Sequence, residues 1–304
     1  MIIDIPPTRG EWLALRRKFI GGSEIAALFN MQPDYAPSTF SLWQDRAGRA
    51  LLPEIEDNAR MRWGRMLEAD IAQWAAEANG WHIETGGFAI DDTCPGLSAT
   101  LDYRIVAHTE TEPGLTGPGV IECKAVDWLT WTRGWGRTPT LSIELQLQHQ
   151  LAATGWEWGA ICVSIGMDEP TVFKRKARPD LVDAIRAKVS AFWASVEAGT
   201  PPEVDDSDST AATLRALYPV VEDKQADIPE WIAEDLHRHC SELVIERETV
   251  KAADKRAVGH RNYIKSVMQD ANSAFVPAPD FDSPAFWISQ DTSGAIRIRE
   301  TAPT

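Results

Sequence analysis

Asp102, Glu122 and Lys124 are the residues of this sequence whose types and spacing could do chemistry together. Asp102 stands in "LSATLDYRI", and Glu122 and Lys124 follow in "GPGVIECKAVDW". The run Val120-Ile121-Glu122-Cys123-Lys124 reads as a strand, so Glu122 and Lys124 emerge on one face of it. If the strand carrying Asp102 is its neighbour, two carboxylates converge on one point. Unpaired charges on an otherwise buried sheet cost several kcal/mol, and a divalent cation is the usual reason for tolerating them. Hard oxygen ligands suit Mg²⁺ or Mn²⁺. A lysine beside such an ion would orient or help deprotonate a water and stabilise charge on phosphate, the chemistry of phosphodiester hydrolysis. Taken alone, Glu-x-Lys reads more simply as a cross-strand salt bridge on a half-exposed sheet, so the rest of the chain has to decide.

The elements that would position these groups are legible around them. Residues 9 to 30 read as a helix, a tight "IGGSE" turn with Ser23 as the N-cap, and a second short helix. A helix follows from Ser38 to Gly48. From Ala59 to Asn79 apolar residues recur at helical spacing, stopped by Asn79-Gly80. "WHIETGGFAI" and "GLSATLDYRIVA" alternate as strands; in the second, Leu101, Tyr103 and Ile105 are expected on one face and Asp102 and Arg104 on the other. Helices are expected over Trp128 to Trp135 and Leu141 to Thr154. "GAICVSIG" then reads as a buried strand, "PTVFKRKA" as its edge partner, and 180 to 198 as an amphipathic helix. Residues 201 to 226 have linker composition. Pro229 to Phe275 is largely helical with near-heptad apolar spacing, and Gly259 is expected to break it into two antiparallel arms. "AFWISQDTSGAIRIRE" closes the chain as a hairpin.

The totals bound the class. The 304 residues, 44% hydrophobic and 25% charged, suit one large domain or two modest ones. No apolar run approaches the roughly 20 residues of a membrane span, and the N-terminus lacks the layout of a secretion signal. Four scattered cysteines form no CxxC pair, which argues against a zinc ribbon and for a reducing cytosol. A net charge of −15 excludes a wholly basic exterior but leaves room for a local phosphate-binding channel.

Four ordered segments carry a resemblance. Asp102 followed by Glu122-Cys123-Lys124 resembles the core motif of the PD-(D/E)xK nuclease superfamily. "EWLALRRKFIGGSEIAALF", "WGRMLEADI", "LSATLDYRI" and "ELQLQHQLAATG" resemble, in order, the motifs of its YqaJ-type viral recombinase branch, which includes the phage lambda exonuclease. The resemblance covers about residues 10 to 195. Leu101 replaces the proline of the superfamily's name, and Ala125-Val126 follow the lysine strand where the family often has proline.

The resemblance implies an α+β, restriction-endonuclease-like core with a central mixed β-sheet flanked by helices, over residues 1 to 200. The linker from 201 to 226 and a helical and β-hairpin appendage from 227 to 304 follow. It implies that Asp102, Glu122 and the Cys123 carbonyl bind metal, with Glu68 assisting directly or through water, as Mg²⁺ with Mn²⁺ as a substitute and two ions in all. Lys124 would position the attacking water. Gln146, the first glutamine of the helix signature, would hydrogen-bond that water or a phosphate oxygen; Gln148 lies about 200° around the helix and would not share the site. Arg16 and Ser23 match residues that bind phosphate, with Arg17 the alternative if the register slips. The implied activity is degradation of double-stranded DNA from its ends, 5′ to 3′, leaving 3′ single strands for recombination in a bacterial or phage-infected cell. The implied partners are DNA ends, a single-strand annealing protein and further copies of the chain, as a trimeric ring; no membrane is involved. Alternatives are an endonuclease or repair nuclease, and an end-binding recombination factor without activity.

Weaker signals are assigned to structure. Trp128, Trp131 and Trp135 form an aromatic stripe expected in the core rather than a base-stacking surface. Arg133, Arg137 and the "KRKAR" run suit a DNA channel or a solvated edge strand equally. His237 to Cys240 point in different directions on a helix and form no ligand cluster.

Overall fold

Side-chain caps open the early helices. Thr8, Ser38 and Asn58 each accept a backbone N–H three residues ahead, from Glu11, Ser41 and Met61, satisfying donors that a helix start leaves orphaned. The computed structural model describes residues 1–52, 58–109, 115–166, 168–280 and 283–301. The chain forms two units, Met1–Val220 and Val221–Thr304.

In the first unit the order is β1 (Ile2–Ile3), α1 (Arg9–Arg16), α2 (Ile25–Leu28), α3 (Thr39–Arg46), α4 (Ala59–Asn79), β2 (His82–Ile90), β3 (Ser98–Ala107) and β4 (Gly119–Val126). A π-helical turn (Thr130–Gly134), α5 (Leu141–Thr154), β5 (Trp158–Ile165), β6 (Thr171–Lys176), α6 (Pro179–Glu197) and α7 (Asp208–Leu217) complete it. The strands form one sheet in the order β1-β2-β3-β4-β5-β6. Only β4 and β5 run parallel; the other neighbours are antiparallel. The fold is therefore α+β with a mixed central sheet flanked by helices, as expected. One face carries a core shared with α2, α3, α5 and α6, including Ile20, Trp43, Leu97, Val120 and Leu147. The other packs against α4 around Ile71, Ile105, Ile121 and Trp158. The strand β5, covered on both faces, is apolar almost throughout, as a parallel partner of β4 requires.

The strict alternation expected in β3 breaks at its centre. Leu101 packs with the α5-side core, whereas Tyr103 and Ile105 pack with the α4 side. The β3–β4 pairing ends at Tyr103↔Ile121, and a Cβ on Gly86 would lie 1.7 Å from the Leu101 carbonyl oxygen. Backbone crowding and the end of the ladder together re-aim the strand beside Asp102.

The stretch 201–226 is not a plain linker. Ser207 caps α7 through the Thr210 N–H, and Ser209, Thr210 and Thr213 hydrogen-bond Ser38 and Ser41 of α3 at 2.8 Å. These hydroxyls form a small, largely buried cluster, and 208–217 belong to the first unit.

The second unit holds α8 (Glu230–Met268) and a separate antiparallel sheet in the order β7-β8-β9, from β7 (Ser273–Val276), β8 (Ala285–Gln290) and β9 (Ile296–Thr301). The expected terminal hairpin is β8–β9. The expected break at Gly259 does not occur: α8 runs through it for 39 residues. A single glycine costs a helix about 1 kcal/mol but removes no hydrogen bond. Helix ends at Met268 rather than Phe275, because 273–276 pair with β8. Among the described residues no helix is long and apolar enough to cross a membrane.

Candidate active site

The point where β3 and β4 part company is where the predicted residues gather. Beyond the last ladder pair, Asp102 Oδ2 accepts the Cys123 N–H at 2.7 Å, so a side chain takes a donor that no strand carbonyl reaches. Asp102 Oδ1 has no hydrogen bond among the described residues. Glu122, 2% exposed, is held on both oxygens. Its Oε1 lies 2.5 Å from Lys124 Nζ and accepts from Gln146 Nε2 at 2.7 Å; its Oε2 accepts from Gln150 Nε2 at 2.5 Å. Gln146 Oε1 in turn accepts from Lys124 Nζ at 3.4 Å.

Gln150 was missed in the sequence. The signal was present: it lies four residues after Gln146, and residues at i and i+4 share a helix face. Gln148, as expected, serves elsewhere, donating to the Lys176 carbonyl and accepting the Arg178 N–H. His149, fully buried, bonds the Ile20 and Ser98 carbonyls through Nε2 at 3.1 and 2.8 Å, tying α5 to the isolated bridge Ile20↔Leu97. Burial depresses its pKa, against the opposing pull of those carbonyls and of Glu24 and Asp91.

Electrostatics bind Glu68 to the same centre. Burial, and then the negative charge of Glu122, raise the Glu68 carboxyl pKa. Glu68 makes no hydrogen bond or ion pair among the described residues. Asp102 is pushed well above the carboxylate range by burial, then by Glu122 and Glu68, with Lys124 and the Cys123 N–H opposing. Lys124 is pulled down by desolvation, but Glu122 and Asp102 more than offset this, and its pKa ends above that of an ordinary lysine.

Three carboxylates around one ammonium leave negative charge uncompensated, and their oxygens are hard donors of the kind Mg²⁺ and Mn²⁺ take. On charge and donor type, Asp102, Glu122 and Glu68 fit a divalent cation. Among the described residues no three His, Cys, Asp or Glu side chains close into a ligating group; the ammonium of Lys124 and the amides of Gln146 and Gln150 hold Glu122 instead.

A cleft of about 140 Å³ is lined by Asp102, Thr100 and Gln146 together with Trp12, Arg16, Gly21, Gly22 and Ser23. Ser23 does not cap α2: the N-cap is Glu24, with no side-chain cap bond. Its Oγ instead accepts from Arg16 Nη2 at 3.4 Å. The Arg16 guanidinium lies 4.9 Å from the Trp12 ring centroid, a cation–π contact. Arg17, the alternative in sequence, reaches Asp45 at 3.8 Å and is absent from the cleft lining. A Cβ on Gly22 would meet Gln146 Cγ at 3.3 Å, so the glycine turn packs directly against the helix that presents the glutamines.

Behind the turn lies a cluster that sequence reasoning missed. Arg46, its side chain 3% exposed, clasps both oxygens of Glu24 at 2.9 and 2.8 Å and reaches Asp45 Oδ2 at 2.5 Å. Glu24 accepts the Gly21 N–H at 2.9 Å and an Arg16 N–H at 3.4 Å; Asp45 accepts the Leu52 N–H at 2.9 Å. The glycine turn and Arg16 are thus fastened to α3.

The weaker signals fall out as structure. Trp131 is in the core and Trp135 against it, while Trp128 is exposed. In "KRKAR", Arg175 pairs with Glu144 and Arg178 with Asp180. Arg238 pairs with Asp235 and Glu242 on exposed α8.

A mixed sheet that presents Asp102 and Glu122-x-Lys124 at the parting of two central strands, with helices on both faces, defines a PD-(D/E)xK-like core. Residues 11–157 match the YqaJ-like viral recombinase domain. The protein YqaJ of Bacillus subtilis (strain 168) is 26% identical over 275 residues, covering 88% of this chain and 81% of YqaJ. The alkaline exonuclease LHK-Exo from Laribacter hongkongensis, in its crystal structure with dAMP, is 23% identical with a TM-score of 0.49, covering 62% of this chain and 93% of LHK-Exo.

Proposed function

We propose that this protein is a divalent-metal-dependent exodeoxyribonuclease that digests double-stranded DNA from its ends, 5′ to 3′, and so prepares 3′ single strands for recombination. The observation that carries the reading is the single cleft joining Arg16 and Ser23 to Asp102 and Gln146, supported by the match to a viral recombinase domain. Mg²⁺ held by Asp102 and Glu122, with the Cys123 carbonyl and Glu68 beside them, would supply Lewis acidity and neutralise phosphate charge.

The chain's own residues then divide the work. Lys124 would orient the attacking water or help deprotonate it, and stabilise charge developing on the phosphate. Gln146 and Gln150 hold Glu122 so that its oxygens stay fixed. Arg16 offers a planar guanidinium to a terminal phosphate and Ser23 a hydroxyl, which is how an end would be told from the interior of a duplex.

The test is digestion of linear duplexes bearing 5′-phosphate or 5′-hydroxyl ends, with and without Mg²⁺, by wild type and Lys124→Ala. The expected result is Mg²⁺-dependent loss of duplex, faster from the phosphorylated end, with cleavage by the variant down by about 10³-fold and DNA binding kept. Nicking of closed circles at the same rate would make it an endonuclease. Intact DNA after incubation of the wild type with Mg²⁺ would make it an end-binding factor.

A further inference from the structure

The helix α8 is 39 residues long and buries only Met268. Leu236, Leu243 and Val250 are 42%, 51% and 58% exposed, and with Ala257 and Ile264 they recur every seventh residue. An apolar stripe of one residue per heptad on a helix this long is a narrow face that another helix can cover, because an isolated helix draws most of its stability from packing an apolar face.

Charge on the same helix says which helix fits. Residues 230–248 carry six acids (Glu230, Glu234, Asp235, Glu242, Glu246, Glu248) and two arginines, whereas 251–268 carry five bases (Lys251, Lys255, Arg256, Arg261, Lys265) and one acid, Asp254. The sign changes at Val250, the middle of the stripe. A second copy laid antiparallel about Val250 sets Leu236 against the partner's Ile264, Leu243 against the partner's Ala257 and Val250 against itself. In the same register the acidic half of each copy lies along the basic half of the other. A parallel pair would instead stack like charges along its whole length, at a cost. Stripe and charge share one centre, which is what a two-fold, self-complementary contact requires.

We infer that α8 is a self-association surface that pairs antiparallel with α8 of a second copy of this chain, about a two-fold axis at Val250. The contact lies outside the nuclease domain and does not depend on the proposed activity.

The experiment uses the full chain in a Cys240→Ser background, which removes the exposed native thiol. Single cysteines are introduced along the stripe, at exposed Leu236 and Val250 and at half-buried Ile264, and chains are mildly oxidised and resolved without reductant. Val250→Cys is expected to link to itself as a covalent dimer. Leu236→Cys alone is expected not to link, and a mixture of Leu236→Cys and Ile264→Cys chains is expected to do so. Self-linking of Leu236→Cys as readily as Val250→Cys would overturn the antiparallel pairing. Failure of Val250→Cys to link would overturn the contact itself, including the case where the basic half of α8 is taken up by duplex DNA instead. Reversing Arg256, which flanks the stripe opposite Glu242 of the second copy, to Glu is expected to weaken association by about tenfold or more, read by sedimentation. Adding Glu242→Arg is expected to restore it, and no restoration would remove the electrostatic basis of the pairing.

Discussion

Around Arg46, two carboxylates and one deeply buried guanidinium meet with Arg16 and Arg17 at the rim; around Lys124, Asp102, Glu122 and Glu68 share a single ammonium. Both clusters lie at the ends of elements in one domain, yet in the first each carboxylate is clasped by the Arg46 guanidinium, while the second holds carboxyls driven toward protonation by burial and then by their neighbours. Burying charge is costly in either place. Where the charges close on each other, as at Arg46, they fix a turn. Where they are left in excess, as at Asp102, the structure holds negative potential that a cation or a polarised substrate can offset, a local cost typical of reacting centres.

The largest break in this contrast is expected at Arg46. Arg46→Ala would leave Glu24 and Asp45 buried without their partner and cost about 3–5 kcal/mol, read as a fall in the denaturant midpoint. A loss under 1 kcal/mol would mean the cluster is solvent-relaxed. At the other cluster the sign should reverse. Asp102→Asn keeps an oxygen to accept the Cys123 N–H but removes one of the mutually repelling charges, so stability is expected to hold or rise by about 1 kcal/mol at neutral pH while Mg²⁺-dependent cleavage disappears. Marked destabilisation by that variant would equate the two clusters.

The smallest effect sits between them, at His149. Its folded pKa is depressed, so below the ordinary histidine value the unfolded chain binds a proton that the native chain does not. Stability from this group is therefore complete above about pH 6.5 and is lost as pH falls from there toward the folded value, at up to about 1.4 kcal/mol per pH unit. In urea titrations at stepwise lower pH, His149→Gln is expected to lose stability less steeply than wild type; parallel slopes would remove His149 from the account.

Periodicity revealed the strands and most of the helices, because strand alternation and helix spacing are local properties, while resemblance to a known family supplied the α+β architecture and the place of Gln146 beside Asp102, Glu122 and Lys124. What stayed hidden depended on distant partners. Ser209 and Thr213 look like linker residues until Ser41 stands opposite them. Glu24 looks like a surface acid until Arg46, 22 positions away, closes on it. Gly259 looks like a break because nothing in its neighbours declares that the helix continues on both sides.

The fit of Gly22 against Gln146 has a consequence for any redesign of the cleft. With only a hydrogen between the turn and the helix, the part proposed to grip a strand's terminus and the part proposed to cut it are set at one gauge. A methyl at residue 22 would press on Gln146, which would have to give by a few tenths of an ångström, so the terminus-gripping turn and the glutamine beside Glu122 would adjust as one.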